Sequence, residues 1–282
     1  MIRVAAVGDL HVGPDSAGAL REQLSAIHDK ADVLLIAGDL TKSGEPEEAH
    51  ALARELRGLS VRVVAVLGNH DHHADRPAEI AGLLREAGVA VLEGDAVRID
   101  TPAGSLGVAG VKGFGGGFSG ASGAEFGEPE MKAFIRHTKE RSEALESALA
   151  SLETDVRIAL LHYAPVRETL LGEPPEIFPF LGSYLLAEAV DRSGADLVIH
   201  GHAHRGTEHG VTPGGVNVRN VAQTVIRQAF AIYGFDAGGR REPATANGAP
   251  LMGRVRGKAD GQGPREGRAS RDAASSAPAS ER

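Results

Sequence analysis

The chain has no cysteine and no tryptophan, and aromatic residues make up only 4% of its 282 positions. Without cysteine there is no disulfide framework and no thiolate metal site. Any bound metal must take histidine nitrogen or the oxygens of Asp, Glu or Asn. With so few aromatics, the core has to be built from Val, Leu, Ile and Ala, and a hydrophobic content of 42% supplies enough of them. Long apolar runs are also missing: none approaches the roughly 18–20 residues of a membrane span. The opening run IRVAAVG is cut short by Asp9, so it does not read as the apolar stretch of a signal peptide. A cytoplasmic protein with no membrane association is expected. Positive charge is scarce as well. Of 30 basic and 38 acidic residues, 21 and 33 fall before position 237, which leaves that body at −12. So acidic a body is a poor footprint for duplex nucleic acid. A phosphate ligand would need some other source of attraction.

Two regions are expected. Residues 237–282 are rich in Gly, Ala, Ser and charge, and Leu251, Met252 and Val255 are their only larger apolar side chains. They cannot bury enough surface to offset ordering entropy, so a disordered low-complexity tail is expected. Residues 1–236 alternate apolar runs with helical patterns. Strand-like runs lie at 2–8, 32–37, 61–67, 156–161 and 195–199. They are β-branched and nearly continuous, as for strands buried on both faces. Helical segments lie at about 18–30, 45–58, 76–87, 129–152 and 180–193. In the longest, Met131, Phe134, Ile135, Leu145, Leu149 and Leu152 form one stripe at helical spacing. Shorter strand-like pieces lie at 95–100, 105–111, 206–212, 215–221 and 228–235. The pattern predicts a layered α/β fold around one core.

The strands end in similar chemistry. GDLH (8–11), GDL (38–40) and GNHD (68–71) follow the first three, His162 follows the fourth, and HGHAH (200–204) follows the fifth. The first three motifs are about one βαβ unit apart. In open α/β sheets, the C-terminal ends of parallel strands face one crevice. Asp9, His11, Asp39, Asn69, His162, His202 and His204 would therefore meet there. Their donors are all imidazole nitrogen or oxygen, which suits Mn, Fe or Zn. Seven ligands are too many for one ion with open positions. They suit two ions about 3.5–4 Å apart that share a carboxylate. Glycines 8, 38, 68 and 201 are expected to relax the backbone where strand turns into loop. Alone, each fragment would read as a capped turn or a surface histidine. Their order and their common position at strand ends carry the inference.

The series D-x-H, GD, GNH[DE], H and GHxH, matched here from Asp9 to His204, resembles the calcineurin-like metallophosphoesterase superfamily. Within it, the form of the motifs is similar to the class III cyclic nucleotide phosphodiesterases and related bacterial phosphoesterases. The resemblance implies an α/β/β/α sandwich with a dimetal site at strand C-terminal ends. One metal would be held by Asp9, His11, Asp39 and His204. The other would be held by Asp39, Asn69, His162 and His202, with Asp39 bridging and a water between the ions as nucleophile. It also implies that His70 lies beside the scissile phosphate and that Asp71 orients the His70 ring. Two divalent ions against two carboxylates and one hydroxide leave such a site net positive. That would supply the phosphate attraction the acidic body lacks.

The resemblance leaves the substrate open, and the residues narrow it. The second block reads GDLTKSG, without the arginine of GDxxDRG protein phosphatases. The acidic body argues against a DNA-processing nuclease. A phosphodiesterase acting on small phosphodiesters such as nucleotides is expected. The alternatives are a phosphomonoesterase or nucleotidase, or a scaffold that keeps the fold without the chemistry. Candidate substrate contacts are Lys112, Phe114, Phe118, Tyr163 and Arg167. The glycine-rich segment 110–130 reads either as a mobile lid carrying Phe114, Phe118 and Phe126, or as a loop with its aromatics tucked in. Tyr163 lines the pocket or packs in a loop. His28, His50, His137 and His209 read as surface residues and His200 as packing beneath the site. His72 and His73 read as the rim or a solvated turn.

Overall fold

The β-branched runs form strands at the expected places. The computed structural model describes residues 1–236 apart from Ala17 and Ala26, so the expectation for 237–282 lies outside the described residues. The first half contains β1 (Ile2–Val7), α1 (Ala19–Leu24), α2 (Ile27–Lys30), β2 (Val33–Ala37), α3 (Pro46–Leu56), β3 (Arg62–Val66), α4 (Pro77–Glu86) and β4 (Ala90–Leu92). There follow β5 (Asp95–Thr101), β6 (Gly104–Val111), β7 (Gly117–Phe118), β8 (Ala121–Ser122), α5 (Pro129–Ala150) and β9 (Val156–Leu161). The last are α6 (Phe178–Leu181), α7 (Tyr184–Ser193), β10 (Leu197–His200), β11 (His209–Val211), β12 (Asn217–Asn220), α8 (Gln223–Ile226) and β13 (Ala231–Phe235).

The strands form two main sheets, ordered β13-β1-β2-β3-β4 and β11-β12-β10-β9-β6-β5. Within the first, β1 through β4 run parallel; within the second, β6, β9, β10 and β12 do. Ile2, Val4, Val33, Leu35, Val64 and Val66 of the first sheet pack against Leu106, Val108, Ile158, Leu160, Leu197 and Ile199 of the second. Helices α1–α4 cover the outer face of the first sheet. Helices α5 and α7 cover that of the second. The result is an α/β/β/α sandwich. The single core expected from composition is three apolar layers, because each sheet buries both faces. Leu35 is fully buried between the sheets, and Leu35→Ala there would cost about 2–5 kcal/mol.

Local signals set most helix ends. In α3, Pro46 takes the first turn and the Glu48 carboxylate accepts from Ser43 N at 2.7 Å. The helix expected at 180–193 is two pieces, because Gly182 is extended and Ser183 caps α7 by accepting from Leu185 N. The stripe on α5 is only partly internal. Ile135, Leu145 and Leu149 are buried, while Met131, in the first turn of α5, is exposed.

Candidate metal centre

Hydrogen bonds join the strand ends, both between the two sheets and within the first. His162, just after β9, donates its Nδ1–H to the carbonyl of Ala37 at the end of β2, 2.9 Å away. The His202 backbone N–H, past β10, donates to both Asp9 carboxylate oxygens at 3.0 Å. The His70 N–H donates to Asp39 Oδ1 at 2.9 Å. Each carboxylate is thus aimed by the backbone of a facing loop.

Two groups of ligand-type atoms result. Asp9, His11, Asp39 and His204 form one; Asp39, His162 and His202 form the other, and Asp39 belongs to both. Asn69 joins the second, its Oδ1 lying 2.9 Å from His162 Nε2. All seven residues singled out from the sequence are therefore brought together. In the first group His204 Nε2 lies 2.9 Å from Asp9 Oδ1 and 3.4 Å from His11 Nε2. His11 Nε2 is 3.8 Å from Asp39 Oδ2.

These donors fit cations. Because Nδ1 of His162 donates to Ala37, its Nε2 carries a bare lone pair. That lone pair faces Asn69 Oδ1 at 2.9 Å and Asp39 Oδ1 at 3.3 Å. Three lone-pair atoms converging this way repel unless a positive charge lies among them. His202 Nε2 is buried and has no hydrogen-bond partner. Burial pushes the His202 imidazole down to about 3 and holds His162 well below the usual histidine range, so both stay neutral, as metal binding requires. Burial raises the Asp9 carboxyl to about 6, although the His204 hydrogen bond opposes it. The same bond raises His204.

The backbone here is strained. Six described non-glycine residues have φ in the left-handed region, and Asp9, His11, Asp39 and His202 are four of them. Such conformations cost of order 1–3 kcal/mol each and cluster at functional sites. The glycines act differently from expectation. Only Gly38 among the four has a left-handed φ. Gly68 and Gly201 instead leave room: a Cβ there would overlap the carboxylates of Asp39 and Asp9 respectively.

His70 stands at the mouth, its ring 4.5 Å from that of His11 and its Nε2 3.9 Å from Asp39 Oδ2. Its orientation is set by Lys42, whose carbonyl accepts from Nδ1 at 2.7 Å. This corrects the expectation that Asp71 orients the ring. The Asp71 side chain is fully buried and turned away, accepting from Leu40 N, Thr41 N, Thr41 Oγ1 and Gly68 N at 2.6–3.1 Å. It clasps the loop after β2 to the loop after β3, which puts Lys42 under His70. Burial raises its carboxyl to about 6 against those hydrogen bonds.

The candidate substrate contacts separate into two places. Tyr163 stacks on His202 with ring centroids 4.4 Å apart, and Phe114 lies 5.7 Å from Tyr163. The Lys112 ammonium sits over both, 5.0 Å from Phe114 and 5.5 Å from Tyr163. These three adjoin the metal centre. Phe118 and Arg167 do not. Phe118 is buried with Phe178 and Leu181, and Arg167 lies over Phe178. Both line a cleft of about 690 Å³ whose walls contain none of the seven metal-type ligands. Of the two readings of the glycine-rich segment, the contacts favour the tucked-in loop for its first half. Gly116 N and Gly117 N donate to Pro179 O and Gly182 O, and Thr138 Oγ1 donates to Gly115 O. The first half of the segment is pinned with Phe114 and Phe118 tucked in, and only Phe126 is exposed.

Three neighbours of the centre are not marked by the strand-end motifs. His137 is half-buried rather than fully exposed on its helix: its ring meets Phe114 edge-on at 4.8 Å. His72 is no solvated turn: its Nε2 is buried without a partner. Arg141 Nε is likewise buried and unpartnered. A signal existed for two of these, since Phe134, His137 and Arg141 recur at helical spacing on one face of α5. His200 is as expected, with both ring nitrogens satisfied by Gly201 O and Thr169 Oγ1.

No curated protein sequence matches the chain. Several solved structures share its fold. A phosphopantetheinyl hydrolase from Mycobacterium tuberculosis is 18% identical with a TM-score of 0.59, over 79% of this chain and 90% of that one. A candidate 5′-nucleotidase from Staphylococcus aureus is 15% identical with a TM-score of 0.53, over 83% of this chain and 51% of that one. A Thermus thermophilus protein, TT1561, is 18% identical with a TM-score of 0.51, over 82% and 93%. The family model for calcineurin-like phosphoesterases matches residues 2–206, a span that holds every ligand-type residue of the centre. The chain belongs to the calcineurin-like phosphoesterase family and is a hydrolase of phosphoester bonds.

Proposed function

We propose that the protein is a dimetal-dependent phosphodiesterase that hydrolyses small phosphodiesters such as nucleotides. The observation that carries this reading is the pair of ligand groups sharing Asp39 at the joined ends of two sheets. Two transition-metal ions such as Mn, Fe or Zn, when bound, would activate a water at neutral pH and offset charge on the phosphoryl oxygens. Asp9, His11 and His204 would hold one ion, and Asn69, His162 and His202 the other, with Asp39 common to both. Asn69 supplies a neutral oxygen where a carboxylate would cancel more positive charge, so the site keeps its attraction for phosphate. Among the described residues no helix is long and apolar enough to cross a membrane. A small substrate met in the cytoplasm suits the acidic body.

His70 is the catalytic residue of this reading. With Nδ1 donating to Lys42 O, only Nε2 faces the site, where it stabilises or protonates the departing alkoxide. To donate a proton from Nε2 while keeping the Lys42 bond, the ring must carry both protons. Asp71 is a positioning residue, acting through the loop that carries Lys42.

The test compares bis-p-nitrophenyl phosphate with p-nitrophenyl phosphate on the Mn-loaded protein. A higher kcat/KM for the diester is expected. Preference for the monoester would overturn the diesterase reading in favour of a phosphomonoesterase, and silence on both would favour a scaffold.

A further inference from the structure

Lys112 is out of place for a structural residue. It lies at the end of β6, is only 7% exposed, and has no carboxylate within ion-pair distance among the described residues. Buried lysines are rare unless paired. The nearest acid, Glu93, is engaged elsewhere: its carboxylate accepts from the Lys112 backbone N–H at 3.2 Å and from Arg141 Nη1 at 3.2 Å. One carboxylate thus faces two cations, and the cluster stays net positive. Arg141 shares Glu93 with Lys112, and His72 lies close enough to feel the Lys112 charge; each has a buried, unpartnered nitrogen, His72 Nε2 and Arg141 Nε. His137 closes the cluster against Phe114. Tyr163 links it to the metal centre, its ring 4.4 Å from that of His202 and 5.5 Å from the Lys112 ammonium.

We propose that Lys112, with Arg141, His72 and His137, forms a second anion subsite beside the metal centre, so that the protein favours phosphoesters carrying a further phosphate. The donors that lack partners in the protein are those such a phosphate would satisfy. Phe114 and Tyr163 hold the ammonium in place by cation–π contact, so little side-chain order is lost on binding. The turnover part of this inference rests on the dimetal reading above; the binding part does not.

The test is calorimetry on the Mn-loaded full chain with thymidine 5′-monophosphate, thymidine 5′-diphosphate and thymidine 3′,5′-bisphosphate, which sample two spacings of the second phosphate. At least one bisphosphorylated ligand should bind about tenfold more tightly than the monophosphate, the size of one charge-assisted contact. Lys112→Met, which keeps the packed stem, should abolish that preference, and Lys112→Arg should retain part of it. Should Lys112→Met fail to fold, Arg141→Gln should still reduce the preference about threefold. Equal affinity for all three ligands, or a preference that survives these substitutions, would overturn the subsite. Hydrolysis of the p-nitrophenyl phosphodiesters formed at the 5′-phosphate of thymidine 5′-monophosphate and of thymidine 3′,5′-bisphosphate separates the two readings. Preferential binding without hydrolysis of either ester overturns the phosphodiesterase and leaves the subsite standing. Hydrolysis of both without preferential binding does the reverse.

Discussion

The two halves of the metal centre lie at different depths. His162 is fully buried, locked to Ala37, and held neutral together with His202 by desolvation. His11 and His204 are partly open, their side chains 25% and 39% exposed, and Asp9 and His204 titrate against each other. The imidazoles of the deep half are neutral well below neutral pH, so they do not have to lose protons to a cation there. The open half competes with protons, and it faces His70 and the mouth. Depth therefore separates a half with neutral ligands from one that competes with protons, and Asp39 belongs to both.

The largest break should come at the shared residue. Asp39→Ala is expected to empty both halves and lower activity by more than about a thousandfold, with metal content read by mass spectrometry. Breaking one half at a time sharpens the contrast. His202→Ala should remove the deep ion and His204→Ala the open one, each leaving close to one ion per chain. His70→Ala touches neither half, so turnover should fall about 10²-fold or more while metal content stays near that of the unaltered protein. Undiminished activity would remove His70 from the mechanism. Asp71→Ala should cost about 2–3 kcal/mol in urea unfolding, because four donors lose their acceptor. It should also lower kcat through His70 without emptying either half.

The smallest effect is one of pH. In the metal-free protein Asp9 is raised to about 6, so below that pH it carries a proton and cannot ligate. His204, also raised, becomes protonated in the same direction. Metal uptake by the open half should therefore weaken as pH falls through about 6. The deep half, whose His202 sits near 3, should retain its ion further into acid. Equilibrium dialysis at pH 7.5 and 5 would read this, and equal loss from both halves would contradict the contrast.

Much was legible in the sequence because it is local. A β-branched run, then GD or GNHD, states both a strand and what stands at its end. Three such runs, with the two that end in His162 and in HGHAH, place seven ligand-type residues. The glycine-rich segment was harder, since Phe114, Phe118 and Phe126 look alike in sequence yet have three different fates. Which aromatic is buried depends on Pro179 and Gly182, about 65 positions away.

The sequence by itself determined the layered strands, the oxygen and nitrogen ligand set without thiolates, and the acidic body that needs a metal-based attraction for phosphate. These follow from composition and short-range order. Only the tertiary structure decided the rest, because each point is a contact between distant segments. Lys42 rather than Asp71 holds the His70 ring, and Asp71 instead clasps two loops some 30 residues apart. The depth of each half depends on how the ends of two separate sheets close over His162. Whether Lys112 is paired or left free rests on Glu93 turning to Arg141 of α5, 48 residues away, and no local pattern encodes that choice.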